Sequence, residues 1–158
     1  MYPIMIITEI EQQTIDIDWF ITDDEHIGFM ASTGGKLPES VARSKKNNDI
    51  LVEYFRNLSE ISEIVINPKL DSILIKIFGS GVNKRYLEDY AFMTKKGLYS
   101  FDKTYSNNFS EPHYHLVVIP NIPLKLKKLP QNIVEILEQT CYKNNLVNID
   151  EINISEIS

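Results

Sequence analysis

The sequence contains a single cysteine, Cys141, among 158 residues. One thiol cannot form an internal disulfide, and it excludes a structural zinc module built from several cysteines. No apolar run approaches the roughly 18 residues that a membrane span requires. The first residues also lack the basic start and long apolar stretch of a secretory signal. These absences predict a protein of the reducing cytoplasm, with no membrane partner.

Positive charge is scarce as well, with 16 Lys and Arg against 22 Asp and Glu and a net charge of −6. Nucleic-acid binding needs a positive surface, so we expect no nucleic-acid partner. Residues 1–28 hold seven acidic side chains and no Lys or Arg, and residues 129–158 hold five acidic side chains against Lys143. Such blocks either steer a charged partner or intermix in three dimensions and only keep the protein soluble.

What is present is a hydrophobic fraction of 43%, which suffices for a folded core in a chain of one-domain length. Residues 1–158 are therefore predicted to form a single domain. Apolar alternation, β-branched runs and turn residues predict strands at 14–21, 27–32, 63–66, 72–78, 98–102, 113–119, 124–127 and 146–154. Helical spacing and capping residues predict helices at 37–44, 49–58 and 83–96, and from Pro130 onward. This order predicts an α+β fold: a mostly antiparallel sheet with about three to four helices packed on one face.

The acidic stretch of the first predicted hairpin is the leading candidate for a binding surface. Alternation places Asp16 and Asp18 on the face of the strand opposite Trp19, and the turn that follows adds further carboxylates. Exposed aromatic side chains such as Phe20 or Tyr105 would anchor a contact with a protein. The candidate partner-binding residues are Asp16, Asp18, Phe20, Asp23, Asp24 and Glu25. The alternative interpretation is a solvated acidic hairpin.

Two histidines, His113 and His115, are predicted to share one side of a strand, together with Glu111. Histidine and carboxylate side chains are good ligands for transition metals, but a mononuclear site needs a further ligand. The distant His26 has no recognisable ligand spacing. Solvated histidines at a strand edge are the competing interpretation, and we expect no resident cofactor or metal.

A short glycine-containing turn, Gly79-Ser80-Gly81, is predicted between a strand and a helix, a setting in which phosphate can bind. The dinucleotide fingerprint requires a third glycine where this chain has Lys84. Lys84 and Arg85 offer positive charge to an anion, so a phosphate-containing ligand is an alternative to a plain turn. Cys141 falls on the apolar stripe of the last predicted helix, which indicates a buried structural thiol instead of a nucleophile.

Several stretches look familiar when taken together: Asp18-Trp19-Phe20 with Gly28-Phe29, Leu37 to Ala42, Lys96 to Asp102, and Tyr114 to Pro120 followed by Pro123-Leu124. This pattern resembles a group of small, uncharacterised bacterial cytosolic proteins, and it is similar in style to the immunity proteins of toxin–immunity systems. The shared motifs are turns, caps and strands, and the resemblance implies no catalytic residue.

Two functions from different classes follow. The first is a non-catalytic binding protein, an immunity protein that occludes a basic toxin domain through its acidic surface, where the carboxylates imitate phosphate groups. The second is a domain that binds a small phosphate-containing ligand or a metal. A homodimer formed through an exposed strand edge is a further possibility.

Overall fold

A computed structural model describes residues 5–158, and this range contains six α-helices and six strands. The helices are α1 (Glu9–Thr14), α2 (Glu39–Ala42), α3 (Lys45–Arg56), α4 (Leu70–Phe78), α5 (Lys84–Thr94) and α6 (Gln131–Leu137). The strands are β1 (Asp18–Thr22), β2 (Ile27–Ala31), β3 (Ile64–Ile66), β4 (Tyr99–Lys103), β5 (His113–Pro120) and β6 (Glu151–Asn153). Among these residues, no helix combines the length and the apolar character needed to cross a bilayer.

The strands form one sheet in the order β1-β2-β4-β5-β3. β3 and β6 share one edge of β5: β3 pairs with its last residues, 118–120, and β6 with its first residues, 113–115. β2 and β4 run parallel, because the long connection through α2, α3, β3, α4 and α5 returns the chain to the edge of β2. The predicted α+β class is confirmed. The sheet is mixed rather than mostly antiparallel, and the described chain has more helices than the predicted three to four.

The predicted first hairpin is confirmed, with β1 and β2 antiparallel from Asp18 opposite Ala31 to Thr22 opposite Ile27. It begins at Asp18, four residues later than expected. Thr8 and Glu11 form a capping box that starts α1, and this helix continues to Thr14, the first residue of the predicted strand. α3 likewise begins at Lys45, four residues earlier than predicted. The side chain of Ser44 accepts a hydrogen bond from the backbone of Asn47 and so caps the helix there.

The prediction of a strand at 72–78 is wrong, since these residues belong to α4. Leu70 and Leu74, four residues apart, are buried and define one helical face, which the β-branched run had concealed. Gly79 then ends the helix with a φ of 76°, in the left-handed region that favours glycine. The strand predicted at 124–127 is also wrong, since Leu126–Lys128 form a 3-10 turn.

Both faces of the sheet are covered. The buried apolar side chains of α3, α4, α5 and α6 all pack on one face, as expected, whereas loop residues and Val41 of the short α2 cover the other. Trp19 of β1 packs in a cluster on one face, while its neighbour Phe20 packs in a second cluster on the other. The ring of Phe20 lies 4.7 Å, centroid to centroid, from that of Phe55 on α3, and Phe20 is only 1% exposed. Phe20 is therefore a core residue, and it cannot serve as the surface anchor that the sequence suggested.

Candidate functional site

Two adjoining cavities lie at one end of the sheet and share Asp16 and Asp89. The parallel strands β2 and β4 both end here, and β1, antiparallel to β2, begins here. The first cavity, of about 500 Å³, lies among α1, α3 and the start of β1; the second, of about 560 Å³, reaches the loop between α4 and α5. We call the two together the acidic groove. Within residues 5–158, the carboxylates that line it are Glu11, Asp16, Asp18, Asp49, Asp89 and Asp102.

The positive charges of the groove are already engaged. Lys45 binds Glu11 at 3.1 Å. Arg56 donates through Nε to Asp18 at 2.8 Å and through both terminal nitrogens to Asp89, each at 2.9 Å. These hydrogen bonds raise the pKa of Arg56, so the guanidinium stays charged. Both cations line the first cavity, and none of the described residues that line the second cavity is Lys or Arg.

Asp16 sits where the two cavities meet. One of its carboxylate oxygens accepts a hydrogen bond of 2.9 Å from the backbone N–H of Thr33. Burial raises the pKa of Asp16, and the nearby charges of Asp102 and Asp89 raise it further, although the Thr33 hydrogen bond and Arg56 act in the opposite direction. A cation placed beside Asp16 would therefore stabilise its ionised form.

The floor of the second cavity is formed by Asp102 at the end of β4. Tyr86 and Tyr90, four residues apart on α5, face this strand. The hydroxyl of Tyr86 donates to one oxygen of Asp102 at 2.8 Å, and the hydroxyl of Thr33 donates to the other at 2.9 Å. Burial raises the pKa of Asp102, against the effect of these donors.

The hydrogen bonds behind Tyr86 run in one direction. Because the single hydroxyl proton of Tyr86 points to Asp102, His115 must donate to the Tyr86 oxygen through Nε2, at 3.2 Å. The Nδ1 atom of His115 then accepts from the hydroxyl of Thr104, at 3.0 Å. Burial lowers the pKa of His115 to about 4, which fits this neutral tautomer. The chain from Thr104 to Asp102 thus directs every donor toward the carboxylate.

The structure divides the acidic stretch that the sequence analysis treated as one surface. Asp16 and Asp18 belong to the groove, whereas Asp23, Asp24 and Glu25 form the turn at the opposite end of β1. A five-residue strand separates the two groups by about 17 Å. The carboxylates of the acidic segment therefore do not form one continuous surface.

The turn carboxylates also have different surroundings. Asp23 is buried and accepts hydrogen bonds from three backbone N–H groups, those of Glu25, His26 and Leu146. Burial alone would raise the pKa of Asp23, but these hydrogen bonds and that of the His26 ring lower it. Asp24 and Glu25 are exposed. Asp23 thus holds the hairpin turn in place and cannot offer its carboxylate to a partner.

The histidines do not converge. His115 is buried against Tyr86, while His113 contacts Glu111 at 3.1 Å and Glu151 at 3.4 Å on the sheet edge. His26 lies in the turn between β1 and β2. Across the part of the chain that the structure describes, no group of three or more His, Cys, Asp or Glu side chains is arranged to hold a metal ion.

The remaining candidates also change place. In the loop after α4, the backbone N–H of Val82 donates to Asp71 at 2.7 Å, so a carboxylate already occupies the position suggested for an anion. Cys141 lies beyond the end of α6, where it forms a β-bridge with Thr22, and is half-buried instead of fully buried. Burial raises the pKa of this thiol, as do Asp24 and Glu138, which disfavours a thiolate nucleophile.

Sequence reasoning missed most of the second cavity, namely Thr33, Tyr86, Asp89 and Asp102. Two signals for it were present. Ser100 and Asp102 interrupt the apolar strand β4 with polar residues on one face, and the Tyr86–Tyr90 spacing gives α5 a face that fits them. That these faces meet Asp16 follows only from the parallel pairing of β2 and β4.

Comparisons with known proteins add no assignment: no protein-family model, no curated protein and no solved structure matches the chain.

Proposed function

We propose that this chain is a non-catalytic protein-binding module of the immunity-protein kind, which binds a basic domain of a toxin through its acidic groove. The observation that carries the proposal is the position of Asp16, whose carboxylate lines both cavities. None of the described residues around the second cavity is Lys or Arg. Binding a basic group here would compensate several clustered negative charges at once.

The excess of carboxylates has a kinetic consequence. Opposite charges on two proteins accelerate their encounter and orient them, and this effect weakens as salt is added. A basic nuclease cleft, which normally receives phosphate groups, is the kind of surface that such a row of carboxylates can occupy. The groove residues that support the proposal differ from the predicted set. Asp16 and Asp18 remain and Asp89 joins them, while Asp102, which is 4% exposed and hydrogen-bonded to Tyr86 and Thr33, contributes only its negative charge from below the surface.

The alternative of a phosphate-containing ligand gains no support from the loop after α4, where Asp71 would repel an anion. The carboxylates of the groove would repel a phosphate group as well. The charges of both sites therefore favour a basic protein partner over a phosphate-containing ligand.

The test is to co-express the chain with the product of the neighbouring gene and to measure co-purification, relief of toxicity and the association rate at low salt. Asp16→Asn removes one charge at the junction of the cavities, and we expect association at least several-fold slower. Asp24→Asn is the matched control, since it removes one exposed charge at the far end of β1. Absence of any complex, or equal rates for wild type and the Asp16 variant, would reject the proposal.

A further inference from the structure

We infer that the acidic groove binds one extended segment of the partner, which places an arginine or lysine side chain in the second cavity and packs apolar side chains against Phe78 and Ile15. This inference rests on the proposed function and names the chemistry of the partner segment. The occupant is a polypeptide with a basic residue between two apolar ones.

Charge complementarity determines the central residue of the partner segment, which is basic. Asp16 and Asp102 line the second cavity, and the described residues around that cavity include no Lys or Arg. In the first cavity, the groove already binds a guanidinium, because Arg56 makes a bidentate contact with Asp89 and a third bond to Asp18. Asp18 and Asp89 therefore show how two carboxylates of the groove hold an arginine side chain.

Apolar contacts determine the two residues of the partner segment that flank the basic one. Phe78 lines only the second cavity and is 49% exposed, and Ile15 lines only the first cavity and is 48% exposed. Ile15 and Phe78 therefore belong to different cavities of the groove, which share Asp16. Exposed side chains of this size at a groove gain free energy when a partner covers them, and Phe78 can also contact a cation through its ring.

The size of the groove favours a polypeptide over a metal ion. The two cavities measure about 500 and 560 Å³, which suits several side chains instead of one ion. Residues 5–158 also contain no cluster arranged to ligate a metal. An extended segment can fill both cavities while its backbone crosses the junction at Asp16.

The experiment uses the whole chain and a short synthetic peptide with leucine, arginine and phenylalanine separated by single glycines and with both ends blocked. A second peptide carries citrulline in place of arginine, which keeps the shape and removes the charge. Binding is followed by the backbone amide signals of the ¹⁵N-labelled protein. We expect signals of Asp16, Thr33 and Tyr86 to shift with the arginine peptide, and the citrulline peptide to bind at least about tenfold more weakly.

Variants of the protein test the flanking contacts. Phe78→Ala and Ile15→Ala should each lower the affinity for the arginine peptide about three- to tenfold, which is the loss expected when one partly covered side chain is removed. Ile75→Ala is the control, since Ile75 is 52% exposed on α4 and lines neither cavity. Equal affinity for the two peptides, shifts confined to other surfaces, or no binding at millimolar peptide would overturn the inference.

These outcomes separate the inference from the proposed function. If the neighbouring gene product binds and depends on Asp16 while the peptide does not bind, the segment chemistry is wrong and the function stands. If the peptide binds the groove but the gene product forms no complex, the segment chemistry stands and the proposed partner is wrong.

Discussion

The hydroxyl of Thr33 donates a 2.9 Å hydrogen bond to Asp102 from a residue whose φ is 45°, a left-handed conformation that β-branched residues rarely adopt. The backbone N–H of the same threonine binds Asp16. One residue therefore fixes the positions of Asp16 and Asp102, two of the carboxylates of the second cavity, relative to each other. Such strain costs about 1–3 kcal/mol and persists where the surrounding contacts over-determine it, which is common at binding sites.

This geometry predicts opposite effects for two substitutions of Thr33. Thr33→Ser keeps the hydroxyl and removes the β-branch, so the free energy of unfolding should stay equal or rise by up to about 1 kcal/mol. Thr33→Ala removes the hydroxyl and leaves a buried carboxylate with one donor fewer, which should lower it by about 1–2 kcal/mol. Urea denaturation measures both. An alanine variant as stable as the serine variant would contradict the role of this hydrogen bond.

His115 predicts a loss of stability in acid. Its pKa in the folded protein is about 4, below the ordinary value of about 6.5, because burial disfavours the charged imidazole. The unfolded chain therefore binds the proton first as the pH falls. The contribution of neutral His115 is complete above pH 6.5, declines as the pH falls toward 4, and amounts to about 3 kcal/mol in total.

The measurement compares stability against pH for wild type and His115→Gln, because the raised pKa values of Asp16, Asp18 and Asp102 act in the opposite sense and are common to both proteins. The difference between the two curves should shrink between pH 6.5 and 4. If the variant does not fold, titration of the His115 ring by NMR in wild type serves instead. A midpoint near 6.5 would contradict a buried, neutral His115.

The sequence predicts those elements whose neighbours along the chain decide their conformation. The hairpin of β1 and β2 is such a case, as is α5, which starts after Asn83 because that side chain accepts a hydrogen bond from Tyr86. Gly97, which follows α5, adopts a φ of 95°, as expected for a glycine after the end of a helix. In each of these the decisive contact spans only a few residues.

Other elements depend on contacts that are distant in sequence. The β-branched run of α4 favours a strand locally, but burying Leu70 and Leu74 together requires a helix. Phe20 alternates to the outward face of an isolated hairpin, yet Phe55 of α3 covers it. The acidic groove is a long-range feature too, since Asp16 and Asp102 meet only after β4 has paired in parallel with β2.

Two glycines with positive φ give a matched test of the packing. Gly97 and Gly79 both adopt the left-handed region, with φ of 95° and 76°. A Cβ on Gly97 would approach the backbone nitrogen of Leu124, whereas one on Gly79 would meet nothing within 4 Å in the described structure. Gly79→Ala should cost only the conformational strain of about 1–2 kcal/mol, and Gly97→Ala should cost more. Thermal denaturation of both variants measures this, and equal losses would contradict the packing of residue 124 on Gly97.

Proton linkage provides a test of the groove that does not depend on association rates. Burial and neighbouring carboxylates hold the pKa of Asp16 above its ordinary value in the free protein, and a bound cation would lower it. Binding of a basic partner should therefore release protons, and the affinity should rise as the pH increases through the free-state pKa, up to about tenfold per pH unit for each proton released. Calorimetry in two buffers of different ionisation enthalpy counts the protons. Asp16→Asn should reduce that number and flatten the pH profile, while Asp24→Asn should leave both unchanged. A proton count that is the same for wild type and Asp16→Asn would place the partner's positive charge away from the junction of the two cavities.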